Sequence, residues 1–351
     1  MQEKRYVFCD PQAILNSVQV HRIPKEEICV MQKLEVHDMA YIYKQMLRIR
    51  FIDQIMDREY RKKNIRGFCH LSVGQEGIYA ALEYAMDDDI VVASYRCHGL
   101  AYVTGCKTLE IMGEVFGRQI GVCKGKGGSM HLYNKNFFGG HGIVGAQVPL
   151  GLGISYALEY RRRLLQDESQ GSKVCYAFYG DGAANQGQVW ESFNMAMVWK
   201  LPIVFVCENN RYGMWTSAES VSADTNFYLR GGTIPGVRVP HNNIFGLISV
   251  LKYAKKYSSK KGPIIIQVDT YRFCTHSTAD SREAYRAEGE MDSERKNDCM
   301  EDVRRRLLTF YTEEEIDTMK SRTLEEVERD VDAAKRSKPT EKNELFKDIL
   351  L

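Results

Sequence analysis

Met39, Ile42, Met46, Ile49, Ile52 and Met56 recur every three or four residues, so the apolar positions form one stripe and predict a long amphipathic helix over roughly 38–63 that stops near Gly67. Shorter apolar patterns follow: a helix over 76–86, a strand over Ile90–Ser94 and a helix over Leu109–Phe116. Another helix runs to about residue 164 and ends in Arg161, Arg162 and Arg163, cations that suit a helix C-terminus. A compact alternation comes next, with a strand over Val174–Tyr179, a helix over Gln188–Trp199 and a strand over Ile203–Cys207. That is a βαβ unit, which implies a parallel sheet with a right-handed crossover. Ile264–Tyr271 adds a strand, and beyond residue 290 the chain turns helical and charged. There Thr312 and Glu315 are spaced as a capping box ahead of Ile316, Met319, Val327 and Val331. The expected fold class is α/β, a mainly parallel sheet flanked by helices, with helical N- and C-terminal extensions.

Composition narrows the field without choosing a function. With 351 residues and 44% hydrophobic content the chain can bury a full-sized core. Its 48 basic and 46 acidic residues leave a net charge of +2, so no global field recruits nucleic acid or an anionic membrane. No apolar run approaches the length of a membrane span, and no membrane insertion is expected. The ten cysteines are scattered without a CxxC pair, which points to reduced thiols rather than a disulfide framework. The first twenty residues carry Glu3 and Asp10 beside Lys4 and Arg5, so no clear secretory or transit peptide is evident.

Candidate chemistry gathers around glycine. Ten of the 28 glycines lie between residues 121 and 153, where the backbone must turn sharply or come close to something. Asp181, in YGDGAANQGQ, lies just past the first strand of the βαβ unit, and Asn210 lies just past the second. Parallel strands deliver both side chains to one carboxyl edge, where open α/β sheets bind ligands. An acid, an amide oxygen and the nearby Tyr212 carbonyl make half of an octahedral oxygen shell, which magnesium prefers at about 2.1 Å with phosphates and water completing it. Gly180 and Gly182 let a diphosphate approach the backbone, and the amides opening the next helix favour anions. Taken alone, a GDG is usually a tight turn, and Asn209 and Asn210 are ordinary turn residues. The pair, one crossover apart, is more specific. Competing phosphate motifs fail, because a P-loop from Gly121 needs glycine where Lys126 stands and a dinucleotide fingerprint after Gly151 and Gly153 needs glycine where Tyr156 stands.

IRGFCHLSVGQE, SYRCHG, GKGGSMH, GGHGIVGAQVPLG, YGDGAANQGQ and CENNRYGM stand in order along the chain. With them the sequence resembles the alpha subunits of the pyruvate dehydrogenase first component, in the thiamine diphosphate-dependent 2-oxo acid dehydrogenase family. The resemblance is strong over about residues 36–290 and looser through the tail. It implies a thiamine diphosphate-binding fold with an N-terminal extension (1–37), a cofactor domain (38–290) and a C-terminal helical segment (291–351) packed on it. It also implies an α2β2 heterotetramer with the cofactor between an alpha and a beta chain. Magnesium would sit on Asp181, Asn210 and the Tyr212 carbonyl. Tyr95, Arg96, Gly182, Ala183 and His276 would meet the diphosphate, Arg96 with its planar fork, and the backbone of Gly142 and Val144 would meet the aminopyrimidine. His70 would point toward the reacting carbon and, with His276, is a candidate catalytic residue. Gln186 is a further candidate lining residue, Phe68 and Met214 are pocket walls, and His98 and His131 have supporting roles.

By the same resemblance, a 2-oxo acid loses carbon dioxide on the cofactor and the acyl group passes to a lipoyl domain of a dihydrolipoyl acyltransferase. The glutamate that activates the aminopyrimidine belongs to the beta chain, so this chain alone is expected to be inactive. Branched-chain 2-oxo acid and acetoin dehydrogenases are rivals within that chemistry, and a noncatalytic regulatory subunit is a rival outside it. Relatives imply the mitochondrial matrix in a eukaryote; the N-terminus leaves the cytoplasm or a mitochondrion-derived organelle open. Three departures stand out: Cys274-Thr275 precede His276 in place of His-Gly, Trp215 stands where a glycine is usual, and Pro240-His241 replace an Asp-Gly turn. Serines switched by phosphorylation in eukaryotic relatives match Ser277 and Ser217, and the third position is Ala284.

Overall fold

The computed structural model describes residues 5–280 and 285–348. The chain opens with β1 (Tyr6–Phe8), α1 (Pro11–Ser17), β2 (Gln19–His21) and β3 (Lys33–Glu35), so the N-terminal segment is richer in short strands than the helical extension expected of it. Next come α2 (Val36–Arg61), α3 (Glu76–Ala85), β4 (Ile90–Ser94), α4 (His98–Val103) and α5 (Thr108–Val115). The glycine-rich stretch and the βαβ unit supply β5 (Phe137–His141), α6 (Gln147–Arg163), β6 (Cys175–Gly180), α7 (Gly187–Trp199) and β7 (Ile203–Asn209). A hairpin of β8 (Tyr212–Gly213) and β9 (Thr216–Ser217) leads through α8 (Ala218–Val221) to β10 (Gly236–Pro240), α9 (Ile244–Lys261) and β11 (Ile264–Asp269). Three helices close the chain: α10 (Glu290–Arg295), α11 (Cys299–Leu307) and α12 (Glu313–Arg336).

Seven strands form one sheet in the order β2, β10, β11, β7, β6, β4, β5, and only the edge strand β2 runs antiparallel to its neighbour. Helices cover both faces. Along β6, Tyr176 and Phe178 enter a core shared with α2, α3, α9 and α12, while Cys175, Ala177 and Tyr179 enter a second core under α6 and α7. A strand buried on both sides needs apolar residues at every position, which is why these strands read as unbroken apolar runs. The capping box forms as expected: the Thr312 hydroxyl accepts from the Glu315 amide at 3.2 Å and the Glu315 carboxylate accepts from the Thr312 amide at 2.8 Å. Among the described residues no cysteines are paired, and no helix is long and apolar enough to cross a membrane.

Register decides where the chemistry goes. Gly180 pairs with Glu208 and Asp269 pairs with Asn209, so β6, β7 and β11 end level with one another. The segments that follow β4, β5, β6, β7 and β11 therefore leave from one edge of the sheet. They carry Tyr95 and Arg96, Gly142, Asp181, Asn210 and His276 respectively.

Candidate active site

A cavity of about 530 Å³ opens at that edge. Asp181, Gly182 and Ala183 with Asn210, Tyr212 and Gly213 form one group of lining residues; His70, Tyr95, Arg96 and His276 form another. Gly142 and Val144 close a third side, and Phe68 and Met214, each nearly half exposed, flank the mouth. Every residue proposed from the sequence for metal, cofactor or catalysis thus lines one cavity. Gln186 does not line it; its side chain lies instead against the backbone at Gly145.

The three proposed oxygen donors, Asp181, Asn210 and Tyr212, line the same cavity. Asp181 is buried, and burial raises its carboxyl pKa, an effect opposed by the main-chain N–H groups of Asp181 and Asn210 and by the charges of Arg272 and Arg96. The Asn210 side-chain oxygen accepts from the Tyr212 amide at 3.4 Å, and the Tyr212 carbonyl accepts from Arg272 Nη2 at 3.1 Å, which leaves each oxygen a second lone pair. Among the described residues no three His, Cys, Asp or Glu side chains cluster as a metal site. A cation held by the three residues proposed from the sequence would have one carboxylate, neutral oxygens and a ligand's own oxygens, a set suited to a hard ion.

The second group is aromatic and cationic. His70 stacks at 4.2 Å from Tyr95 and stands 5.2 Å from His276, centroid to centroid. Burial first, then the charge of Arg96, lowers His70 to about 2 and His276 to about 3, so both rings are neutral at physiological pH. The Nδ1 atoms of both are buried without a hydrogen-bond partner among the described residues. The planar fork of Arg96 is partly engaged: Nη1 donates to the Leu71 carbonyl and Nη2 to the His276 carbonyl at 3.0 Å, so two of its five N–H donors tie these segments together while the side chain lines the cavity. Arg272 is fully buried.

These features fit thiamine diphosphate. A Cβ built on Gly142 would meet only His131 Cε1 at 3.8 Å, and one on Gly182 only Gly213 Cα at 3.7 Å, so both backbones face open space that a ligand can occupy. The Arg96 guanidinium lining the cavity, with Arg272 buried behind the Tyr212 carbonyl, favours an anion; two buried imidazole nitrogens lack partners among the described residues, and oxygen donors line the same cavity.

A second layer holds the walls. Asp53, fully buried, accepts from the Ser72 amide at 2.6 Å, the Ser72 hydroxyl at 2.8 Å and His98 Nδ1 at 2.8 Å. With its Nδ1 proton so engaged, His98 Nε2 accepts from the Ser129 hydroxyl at 2.7 Å. None of Asp53, His98 and Ser129 lines the cavity, and the chain they form links the segments bearing His70, Arg96 and Met130. His131 likewise bonds the Gly140 carbonyl at 3.3 Å. The segment carrying His276 pairs with the one carrying His70 through Phe273 N to Val73 O at 2.7 Å and Thr278 N to Cys69 O at 2.9 Å. Cys274 Sγ donates to the Leu71 carbonyl at 3.2 Å, so the unusual Cys274-Thr275 pair ties this loop inward. Pro240 ends β10, and the neighbouring His241 is buried with Nδ1 bonded to the Asp269 carbonyl at 2.9 Å. Ser277 is buried in the loop, Ser217 caps α8 by accepting from the Ser220 amide at 3.2 Å, and Ala284 lies outside the described residues.

Sequence reasoning missed Glu208 and Arg272. Glu208 lines the cavity, accepts from the Tyr79 hydroxyl at 2.9 Å and Gln75 Nε2 at 3.1 Å, and burial pushes it up to about 7. A signal existed: a lone carboxylate ending an otherwise apolar strand is expensive unless the site uses it.

Comparison with known proteins agrees with this geometry. The family model described as "Dehydrogenase E1 component" matches residues 43–343. The mitochondrial pyruvate dehydrogenase E1 component subunit alpha of Schizosaccharomyces pombe is 42% identical over 335 residues, covering 93% of this chain and 79% of that protein. Its Saccharomyces cerevisiae counterpart is 42% identical, covering 90% and 77%. The somatic mitochondrial form of Bos taurus is 45% identical, covering 79% and 69%. A match of that extent means that the chain belongs to the dehydrogenase E1 component family, among the pyruvate dehydrogenase E1 alpha subunits.

Proposed function

We propose that this chain is the diphosphate-holding half of a pyruvate dehydrogenase that works with a beta subunit, decarboxylating pyruvate and acetylating a lipoyl group of an acyltransferase component. The observation that carries the reading is the single cavity lined by Asp181, Asn210 and Tyr212 together with Arg96, Tyr95 and His276. Thiamine diphosphate, when bound, supplies the electron sink for decarboxylation. The chain's own residues hold and orient it. Asp181, Asn210 and Tyr212 hold Mg²⁺; Gly182, Ala183, Tyr95, Arg96 and His276 meet the diphosphate; the Gly142 and Val144 backbone supports the aminopyrimidine. His70 and His276 are neutral, so each offers one N–H and one lone pair for hydrogen bonding without adding charge beside Arg96. Phe68 and Met214 narrow the entrance against water.

On this reading residues 38–290 are the cofactor domain and 291–351 a C-terminal segment, whose helix α12 packs on α2 and α5. The assembly is an α2β2 heterotetramer that meets the lipoyl domain at the cavity mouth. The relatives' names favour pyruvate over branched-chain 2-oxo acids or acetoin, and their mitochondrial label supports a mitochondrion or an organelle derived from one. Reconstitution with the cognate beta chain, assaying carbon dioxide release with an artificial electron acceptor, tests the reading. Pyruvate should be preferred at least tenfold over branched-chain 2-oxo acids, and equal use of both would overturn the assignment.

A further inference from the structure

The cavity's two outer walls meet at one exposed bond. Trp215 sits at the tip of the β8–β9 hairpin, 62% exposed, and its indole Nε1 donates to Asp280 Oδ1 at 2.7 Å. The other oxygen of that carboxylate, Oδ2, accepts from the main-chain amide of His276 at 3.2 Å and from the Tyr285 hydroxyl at 3.5 Å. One carboxylate thus joins the hairpin that carries Tyr212, Gly213 and Met214 to the loop that carries His276. The base of the hairpin is anchored separately, by Tyr212 to Glu290 at 2.8 Å and by Arg211 to Glu294 at 2.8 Å.

We propose that Trp215 is a positioning residue for His276, acting through Asp280, so that an indole at the mouth holds the diphosphate wall in register before the cofactor arrives. Among the described residues the His276 ring nitrogen Nδ1 has no hydrogen-bond partner to fix it. Its place is set through its main chain, by Arg96 Nη2 on its carbonyl and by Asp280 on its amide. Asp280 can hold that amide only while its own carboxylate is oriented, and the indole N–H orients it from the far side. A glycine at 215, which the sequence resemblance leads one to expect, has no side-chain donor to do this. A phenylalanine would keep the packing and lose the donor.

This inference rests on the proposed role of His276, and the test separates the two. Trp215→Phe and Asp280→Asn are each made in the chain co-assembled with its beta subunit, and main-chain hydrogen exchange over residues 274–280 is read without cofactor. Both variants should exchange about three- to tenfold faster than the parent there, the range expected from losing one such hydrogen bond. The thiamine diphosphate concentration for half-maximal rate should rise by a similar factor, with the rate at saturating cofactor within twofold of the parent. The double variant should match the single ones, because both break one chain of contacts. Parental exchange in Trp215→Phe, or additive effects in the double variant, would overturn the proposal and mark the indole as a contact for another chain. A parent assembly that binds no thiamine diphosphate would refute the functional reading instead, while the exchange data would still decide the role of Trp215.

Discussion

Asp53 offers a demanding test of how this site is built, because its carboxylate is fully buried and feeds three donors while touching no substrate. Replacing it with alanine strands the Ser72 amide, the Ser72 hydroxyl and His98 Nδ1. Each buried donor left unpaired costs roughly 1–3 kcal/mol. Water entering the vacated space recovers part of this, and breaking comparable buried networks costs about 3–5 kcal/mol, which is the expected loss for Asp53→Ala. The assay is thermal unfolding of the co-purified alpha and beta assembly, where that loss lowers the midpoint by roughly 5 °C or more. His98→Ala removes the middle of the same chain, so the double variant should be less destabilised than the sum of the singles by about 1–2 kcal/mol. Ser129→Ala, at the far end, should cost only about 1 kcal/mol. A loss below about 1 kcal/mol for Asp53→Ala, or strictly additive singles, would refute the view that one hydrogen-bonded chain braces the cavity walls.

Three further outcomes follow from the same geometry. Gly142→Val should leave thermal stability nearly unchanged, since a Cβ there meets nothing closer than 3.8 Å, yet weaken thiamine diphosphate binding at least about tenfold by calorimetry; unchanged affinity would remove Gly142 from the cofactor surface. Glu208, raised to about 7, binds its proton more tightly folded than unfolded, so its contribution is present at low pH and lost as pH rises toward and through 7. Glu208→Gln should therefore stabilise the cofactor-free assembly at pH 8 by on the order of 2 kcal/mol and do nothing near pH 4, and a pH-independent effect would contradict the burial argument. His70 has the opposite sign: lowered to about 2, it resists protonation when folded, so stability falls as pH drops below the unfolded value of about 6.5. His70→Gln should flatten that acid limb by up to about 1.4 kcal/mol per pH unit between pH 6 and 4 in urea titrations; an unchanged slope would show that the ring takes up its proton in place.

Legibility in the sequence tracked burial pattern and distance along the chain. The βαβ unit was readable because β6 and β7 are apolar throughout and α7 separates them, and the Asp181 and Asn210 placement followed from strand direction alone. Helix α9 escaped notice because its first eight residues, Ile244–Leu251, are all buried, so no polar face marks its first two turns. Strand β5, FFGGH, hid among glycines, and β1, β2 and β3 are three residues each, too short to show alternation. The roles of Tyr95, Arg96, Gly142 and His70 came from resemblance, since no local pattern marks a histidine or glycine for a ligand. What neither route supplied was pairing across the fold. Arg272 meets Tyr212 from 60 positions away, and Trp215 meets Asp280 from 65. Arg96 was expected to present its planar fork to a phosphate, and the Leu71 and His276 carbonyls claim two of its donors because buried carbonyls need partners.

The most direct measurement is calorimetric titration of the assembled alpha and beta chains with thiamine diphosphate, with and without Mg²⁺, in the parent and in Asp181→Ala. Tight, magnesium-dependent binding in the parent and a loss of at least about a hundredfold in the variant are expected, since the only carboxylate among the three proposed donors is gone. Binding in Asp181→Ala within twofold of the parent, or a parent indifferent to Mg²⁺, would contradict the account.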